Sequence, residues 1–140
     1  MWRTHRALYA LTGGRWFGLR RPTAASWGML RLHSTGRRSG QERIAILGYI
    51  EDGANLVTPA MNGWMEPEPA WWLNLQARPG ATVELPGRER RDVRARAAVG
   101  DERERLWRRL VELGTSAYTD ANAAMRPRGT AIVVLEPRSE

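Results

Sequence analysis

Four turn pairs, Asp52-Gly53, Asn62-Gly63, Pro79-Gly80 and Pro86-Gly87, cut the middle of this chain into short apolar segments. Segments of that length are strands rather than helices, and Asp-Gly between two of them is a hairpin signal. The spacing predicts strands over Met29–Thr35, Arg43–Ile50, Asn55–Ala60, Ala81–Leu85, Asp92–Val99 and Ala131–Leu135. Most of these neighbours are joined by tight turns, and the long crossovers of a parallel sheet are scarce. The fold class expected is therefore α+β, mainly β: a small antiparallel barrel of about six strands with peripheral helices.

Helices fill the gaps. Pro69 suits a helical first turn, and Ala70–Ala77 follows it until Pro79-Gly80 forbids continuation. Asp101, with Glu104 three residues on, forms a capping box ahead of a buried stripe of Leu106, Trp107, Leu110 and Val111. A less regular helical segment is expected around Tyr118–Met125. Residues 1–22 form an amphipathic helix and linker ending at Pro22, and residues 23–140 form the barrel domain.

Composition excludes several chemistries. The 140 residues lack Cys, which removes disulfides, thiolate nucleophiles and Cys-based metal sites. Two histidines, His5 and His33, are too few for a three-His centre, so no protein-held catalytic metal is expected. All 22 basic residues are Arg, and the 15 acidic ones leave a net charge of +7. The N-terminal stretch lacks the apolar core of a signal peptide, so a cytoplasmic protein is expected.

Two local features can carry chemistry. Ser34-Thr35-Gly36-Arg37-Arg38-Ser39-Gly40, with Arg43 following, sets three guanidinium groups and small hydroxyls on one glycine-flanked turn. Such a turn either grips phosphate or carboxylate oxygens or is a solvated hairpin on a basic surface. The second is Ala60-Met61-Asn62-Gly63, followed by Trp71-Trp72-Leu73-Asn74-Leu75. Helical spacing puts Trp71 with Asn74 and Trp72 with Leu75, so one Trp is core while the other faces a flat aromatic ligand, or both are core.

With those features placed, the chain resembles the deazaflavin-dependent nitroreductase family of actinobacterial split β-barrel oxidoreductases, which use coenzyme F420. The likeness runs from about Tyr9 to Pro137. It is carried by Leu8-Tyr9-Ala10-Leu11-Thr12-Gly13-Gly14-Arg15, by Ser34 to Gly40 with Arg43, by Asp52-Gly53, by Pro69 to Pro79 and by Val133-Val134-Leu135-Glu136-Pro137. The resemblance implies an FMN-binding-like split barrel and a hydride transfer between the deazaflavin and an electron-poor acceptor such as a quinone, an activated alkene or a nitro compound. It implies that Arg37, Arg38, Ser39 and Arg43 hold the anionic tail, and that Ser34, Thr35 and Gly36 of the same stretch also bind the cofactor. Ile44, Ile46, Ala60, Met61, Asn62, Gly63, Trp71 and Asn74 lie by the ring, and Tyr118 is the proton donor. Met61 stands where many relatives carry a small hydroxyl residue, and Ala121 where several carry a second tyrosine, so nitro reduction does not follow from the likeness.

Two other readings fit the same residues. An FMN oxidoreductase of the pyridoxamine-oxidase-like type would also hold phosphate with Arg. A basic RNA-binding barrel would use the +7 charge and seven Trp, although the arginines are spread along the chain and no strand interleaves aromatics with them. The partners expected are a small apolar or aromatic acceptor and no nucleic acid, with the protein a monomer or homodimer. The N-terminal helix either covers the barrel mouth or touches the inner membrane face peripherally.

Overall fold

The protein is described by a computed structural model. It describes residues 19–24, 26–60, 68–114 and 130–138. The described residues form six strands: β1 Gly28–Thr35, β2 Glu42–Asp52, β3 Asn55–Pro59, β4 Gly80–Leu85, β5 Glu89–Ala97 and β6 Ile132–Pro137. They form a closed barrel in the order β1-β2-β3-β6-β5-β4, with every neighbouring pair antiparallel. The mainly β antiparallel barrel read from the turns is the fold observed.

Strand alternation supplies two cores. Side chains facing the lumen, including Leu30, Leu32, Leu47, Tyr49, Leu56, Val133 and Leu135, make the interior cluster. The next residues along the same strands, Ile50, Val57, Ile132 and Val134, face outward. Helix α2, Gly100–Gly114, covers them with Leu106 and Leu110, both fully buried, while Trp107 and Val111 pack at the edge. This is why β6 is apolar at consecutive positions: its two faces are buried against different partners.

Two local expectations need correction. Asp101 does not cap α2, because Gly100, with φ 62°, makes the entry turn and leaves Asp101 inside the first helical turn. There its carboxylate still favours the positive helix end. Strand β5 starts at Glu89, three residues before the expected Asp92. Gly87 and Arg88, at φ 79° and 63°, close a one-turn 3-10 helix, Pro86–Arg88, so pairing resumes at once with Leu85 opposite Glu89.

Helix α1, Ala70–Ala77, occupies the predicted span and seals part of the barrel. Its Trp71, Trp72 and Leu75 join the interior cluster, and the two Trp rings meet edge to face at 6.5 Å. A helix this short that plugs a barrel is apolar nearly all round, and both Trp are buried. The N-terminal helix and the segment around Tyr118–Met125 lie outside the described residues.

Candidate functional site

The hairpin joining β1 to β2 is built before any ligand arrives. Thr35 pairs with Glu42, the Gly36 N–H donates to the Gln41 carbonyl at 2.8 Å, and the Gly40 N–H donates to the Gly36 carbonyl at 2.9 Å. Gly40 takes φ 72°, which an L side chain rarely adopts. Gly36 is required for a different reason: a Cβ there would lie 2.9 Å from Ser39 Oγ and 3.4 Å from Arg43 Nε. The Ser39 hydroxyl in turn accepts from the Gln41 N–H at 3.1 Å and from Arg43 Nη2 at 3.4 Å. Ser39 thus braces the turn and the arginine beside it.

Helix α1 reaches the same turn through one side chain. The buried Asn74 Oδ1 accepts from the Arg37 backbone N–H at 3.1 Å and from Arg37 Nη1 at 2.9 Å. Between the turn and α1 lies a cleft of about 530 Å³. Its lining brings together Ser34, Gly36, Arg37, Arg38, Arg43, Ile44, Trp71 and Asn74 of the expected site. Thr35, Ser39, Ile46 and Ala60 are not in that lining. Ala60 is buried in the interior core, and Ile46 pairs with Arg31 in the body of the sheet. Met61, Asn62, Gly63 and Tyr118 lie outside the described residues.

The lining also contains Ala45, Pro69 and Ala70, which sequence reasoning missed. Ala45 carries no chemical signal, and Pro69 was read only as a helix starter, although that starting end is the part of α1 that opens on the cleft. Because its N-cap is proline without a capping side chain, the positive end of α1 points into the same space as the arginines.

The chemistry of this lining is one-sided. Among the described residues it carries three arginines and no carboxylate. Arg38 is exposed and makes no hydrogen bond or ion pair among the described residues. Ser34 faces the lumen at 4% exposure, and its hydroxyl has no hydrogen-bond partner among the described residues. A buried hydroxyl without a partner among the described residues, beside several cations, is a donor-rich set that fits an anionic, oxygen-rich ligand.

Behind the turn, on the outer side of the sheet, the carboxylates are already committed. His33 lies between Glu42 Oε2 at 2.9 Å and Glu84 Oε1 at 2.6 Å, and Arg31 Nη1 reaches Glu84 Oε1 at 3.0 Å. Burial pushes the Glu84 carboxyl up, but the His33 contact and the Arg31 charge together hold it below the usual glutamate range. This cluster ties β1, β2 and β4 together and keeps negative charge off the cleft side. The sequence alone suggests only metal ligation for His33, and its pairing with Glu42 and Glu84 emerges only in the folded sheet.

A family model described as F420H(2)-dependent quinone reductase matches residues 1–137. The chain belongs to that family. An F420H(2)-dependent quinone reductase of Mycobacterium tuberculosis, strain H37Rv, is 33% identical over 138 residues, 97% of this chain and 89% of that protein. Among solved structures, an F420-H2 dependent reductase is 25% identical with a TM-score of 0.63, covering 76% of this chain and 92% of its own. A protein described as a domain-swapped dimer is 26% identical with a TM-score of 0.68, covering 96% and 94%. Membership makes this chain an oxidoreductase of the F420-dependent quinone reductase family on a split-barrel scaffold, and the RNA-binding reading falls away. No described helix is long and apolar enough to cross a membrane.

Proposed function

We propose that the cleft between the β1–β2 turn and α1 binds coenzyme F420 and that the protein uses the reduced coenzyme to reduce a quinone. The observation that carries this reading is the donor set of the cleft: Arg37, Arg38 and Arg43 with no acid among them, beside the unpartnered Ser34 hydroxyl. A polyanionic tail supplies acceptors for Arg38 and the Ser34 hydroxyl, which have none among the described residues, and further acceptors for Arg37 and Arg43. When bound, the deazaflavin supplies the hydride, so the protein needs no nucleophile or acid–base triad of its own.

The chain's residues then bind, orient and shield. Arg38 and Arg43 neutralise tail oxygens through charge-assisted bonds, and the Ser34 hydroxyl donates from the lumen side. Trp71, Ile44 and Ala45 offer an apolar wall against which a flat ring lies without water. Met61, Asn62 and Gly63 contact the ring, and Tyr118 gives the acceptor oxygen its proton; the resemblance supports these two assignments. The segment 1–22, whose sequence reads as an amphipathic helix and linker, shapes access for apolar acceptors or rests on a membrane surface.

The test is a titration of purified protein with oxidised F420 and, separately, with FMN, followed by quenching of tryptophan fluorescence. The reading expects saturable binding of F420 at least tenfold tighter than FMN, and oxidation of reduced F420 that depends on added quinone. Equal or tighter binding of FMN overturns it.

A further inference from the structure

Resting on that reading, we infer that Asn74 is a positioning residue: a neutral side chain of α1 that sets the affinity of the turn for anions by holding Arg37, rather than by touching the ligand. Asn74 is the one polar group among the buried residues of α1, which are otherwise Trp71, Trp72 and Leu75. Burying an amide among aromatic rings is costly unless its hydrogen bonds are made. Both bonds given to its oxygen come from a single residue 37 positions earlier, one from the backbone and one from the guanidinium.

The direction of those bonds is fixed by chemistry. Arg37 offers only donors at both atoms, so the amide oxygen and not its NH2 must face it. The backbone bond fixes where residue 37 sits in the turn, and the Nη1 bond fixes the rotamer. An arginine on a hairpin tip otherwise samples many rotamers, and ordering it opposes binding. Asn74 makes that ordering part of the fold. Among the described residues only one of the five guanidinium N–H groups is used, which leaves the others for oxygens of a ligand in the cleft.

If Asn74 acts through Arg37, its removal matters only while Arg37 is present. A double-mutant cycle reads this directly. Dissociation constants of wild type, Asn74→Ala, Arg37→Ala and the double variant are measured by tryptophan fluorescence, with oxidised F420 and with tripolyphosphate, an anion that has no ring. Asn74→Ala should weaken both probes about five- to tenfold in the wild-type background and less than about twofold in the Arg37→Ala background. Steady-state kinetics should show KM for reduced F420 raised with kcat nearly unchanged. Equal factors in both backgrounds would mean that Asn74 contacts the ligand itself, and the inference fails.

Should Asn74→Ala melt early, Asn74→Ser takes its place in the cycle, since a serine hydroxyl is too short to span both bonds. The cycle also separates this inference from the functional reading. Coupled factors for tripolyphosphate with no binding of F420 sink the coenzyme and leave the positioning role standing. Tight F420 binding with uncoupled factors does the reverse, and failure to bind either probe sinks both.

Discussion

Trp27 lies against Gly48 so closely that a Cβ at residue 48 would stand 2.7 Å from the indole Cε3. Trp27 is 2% exposed, and its Nε1 donates to the Leu110 carbonyl of α2 at 2.9 Å. The ring therefore joins the outer face of β2 to the helix and has nowhere to move. Gly48→Ala should destabilise the protein by about 1 to 3 kcal/mol through overpacking. Urea unfolding would check this, with cofactor affinity of the folded fraction unchanged. An unchanged midpoint would show that the indole yields more easily than its hydrogen bond implies.

Asp52, at the end of β2, grips α2 from the other side. Arg105 makes paired bonds to its two oxygens at 2.8 and 3.0 Å, and Arg109 approaches at 3.5 Å. The Arg105 hydrogen bonds hold the Asp52 carboxyl below its usual range. A depressed folded-state pKa gives stability that is present above the unfolded value of 3.8 and lost as pH falls through the lower folded value. Asp52→Asn should cost about 1 kcal/mol at pH 7, because the arginines are partly solvated. In unfolding at pH 3 and below, the gap between variant and wild type should shrink towards zero; a constant gap would assign the loss to packing.

Tyr49 fills the lumen, fully buried, with a hydroxyl that has no hydrogen-bond partner among the described residues. Burial, with Glu51 nearby, pushes its phenol from 10.0 up to about 12. A raised folded-state pKa means that stability is whole below pH 10 and declines as pH rises towards 12. Tyr49→Phe should leave Tm equal or higher at pH 7, since an unsatisfied buried hydroxyl costs about 1 to 3 kcal/mol. It should also remove the part of the alkaline loss that begins near pH 10. A lower Tm at neutral pH would show that the hydroxyl is satisfied after all.

How much of this was legible in the sequence depends on how local each signal is. Helix α1 was placed to the residue because Pro69 starts it and Pro79-Gly80 stops it, both acting within one turn of the chain. The Asp52-Gly53 hairpin was legible for the same reason, with Gly53 at φ 62°. The entry to α2 was misread because Asp101 offered a familiar capping pattern while Gly100 did the turning. Pairing of β3 with β6 and of β1 with β4 closes the barrel, and residues so far apart leave no periodic trace. The site divides in the same way: the arginine turn is contiguous and was visible, whereas the Arg37–Asn74 contact and the part played by Ala45 exist only after closure.

Arg38 is the exposed cation of the turn, with no partner among the described residues. Arg38→Ala should weaken F420 binding about tenfold or more, with the loss larger at low ionic strength. Arg94→Ala, an equal change of charge on an exposed position of β5, is the control and should alter affinity less than about twofold. Equal losses in the two variants would mean that the overall field of the protein, and not the turn, attracts the coenzyme.

Ser34 separates binding from stability most sharply. Its hydroxyl is enclosed on the lumen side of β1, opposite Arg43 in the sheet, and has no acceptor among the described residues. Leaving such a group unsatisfied costs the folded protein free energy, so Ser34→Ala should raise Tm in the absence of coenzyme by up to a few degrees. The same change should weaken F420 binding about five- to tenfold, because the ligand oxygen then loses its donor. The two effects have opposite signs only if the hydroxyl is kept for a ligand. Thermal melts with and without F420 read both at once: the coenzyme-induced rise in Tm should be larger for wild type than for Ser34→Ala. A variant that is less stable and binds as well as wild type would make Ser34 an ordinary structural residue and move the anion contacts onto the arginines alone.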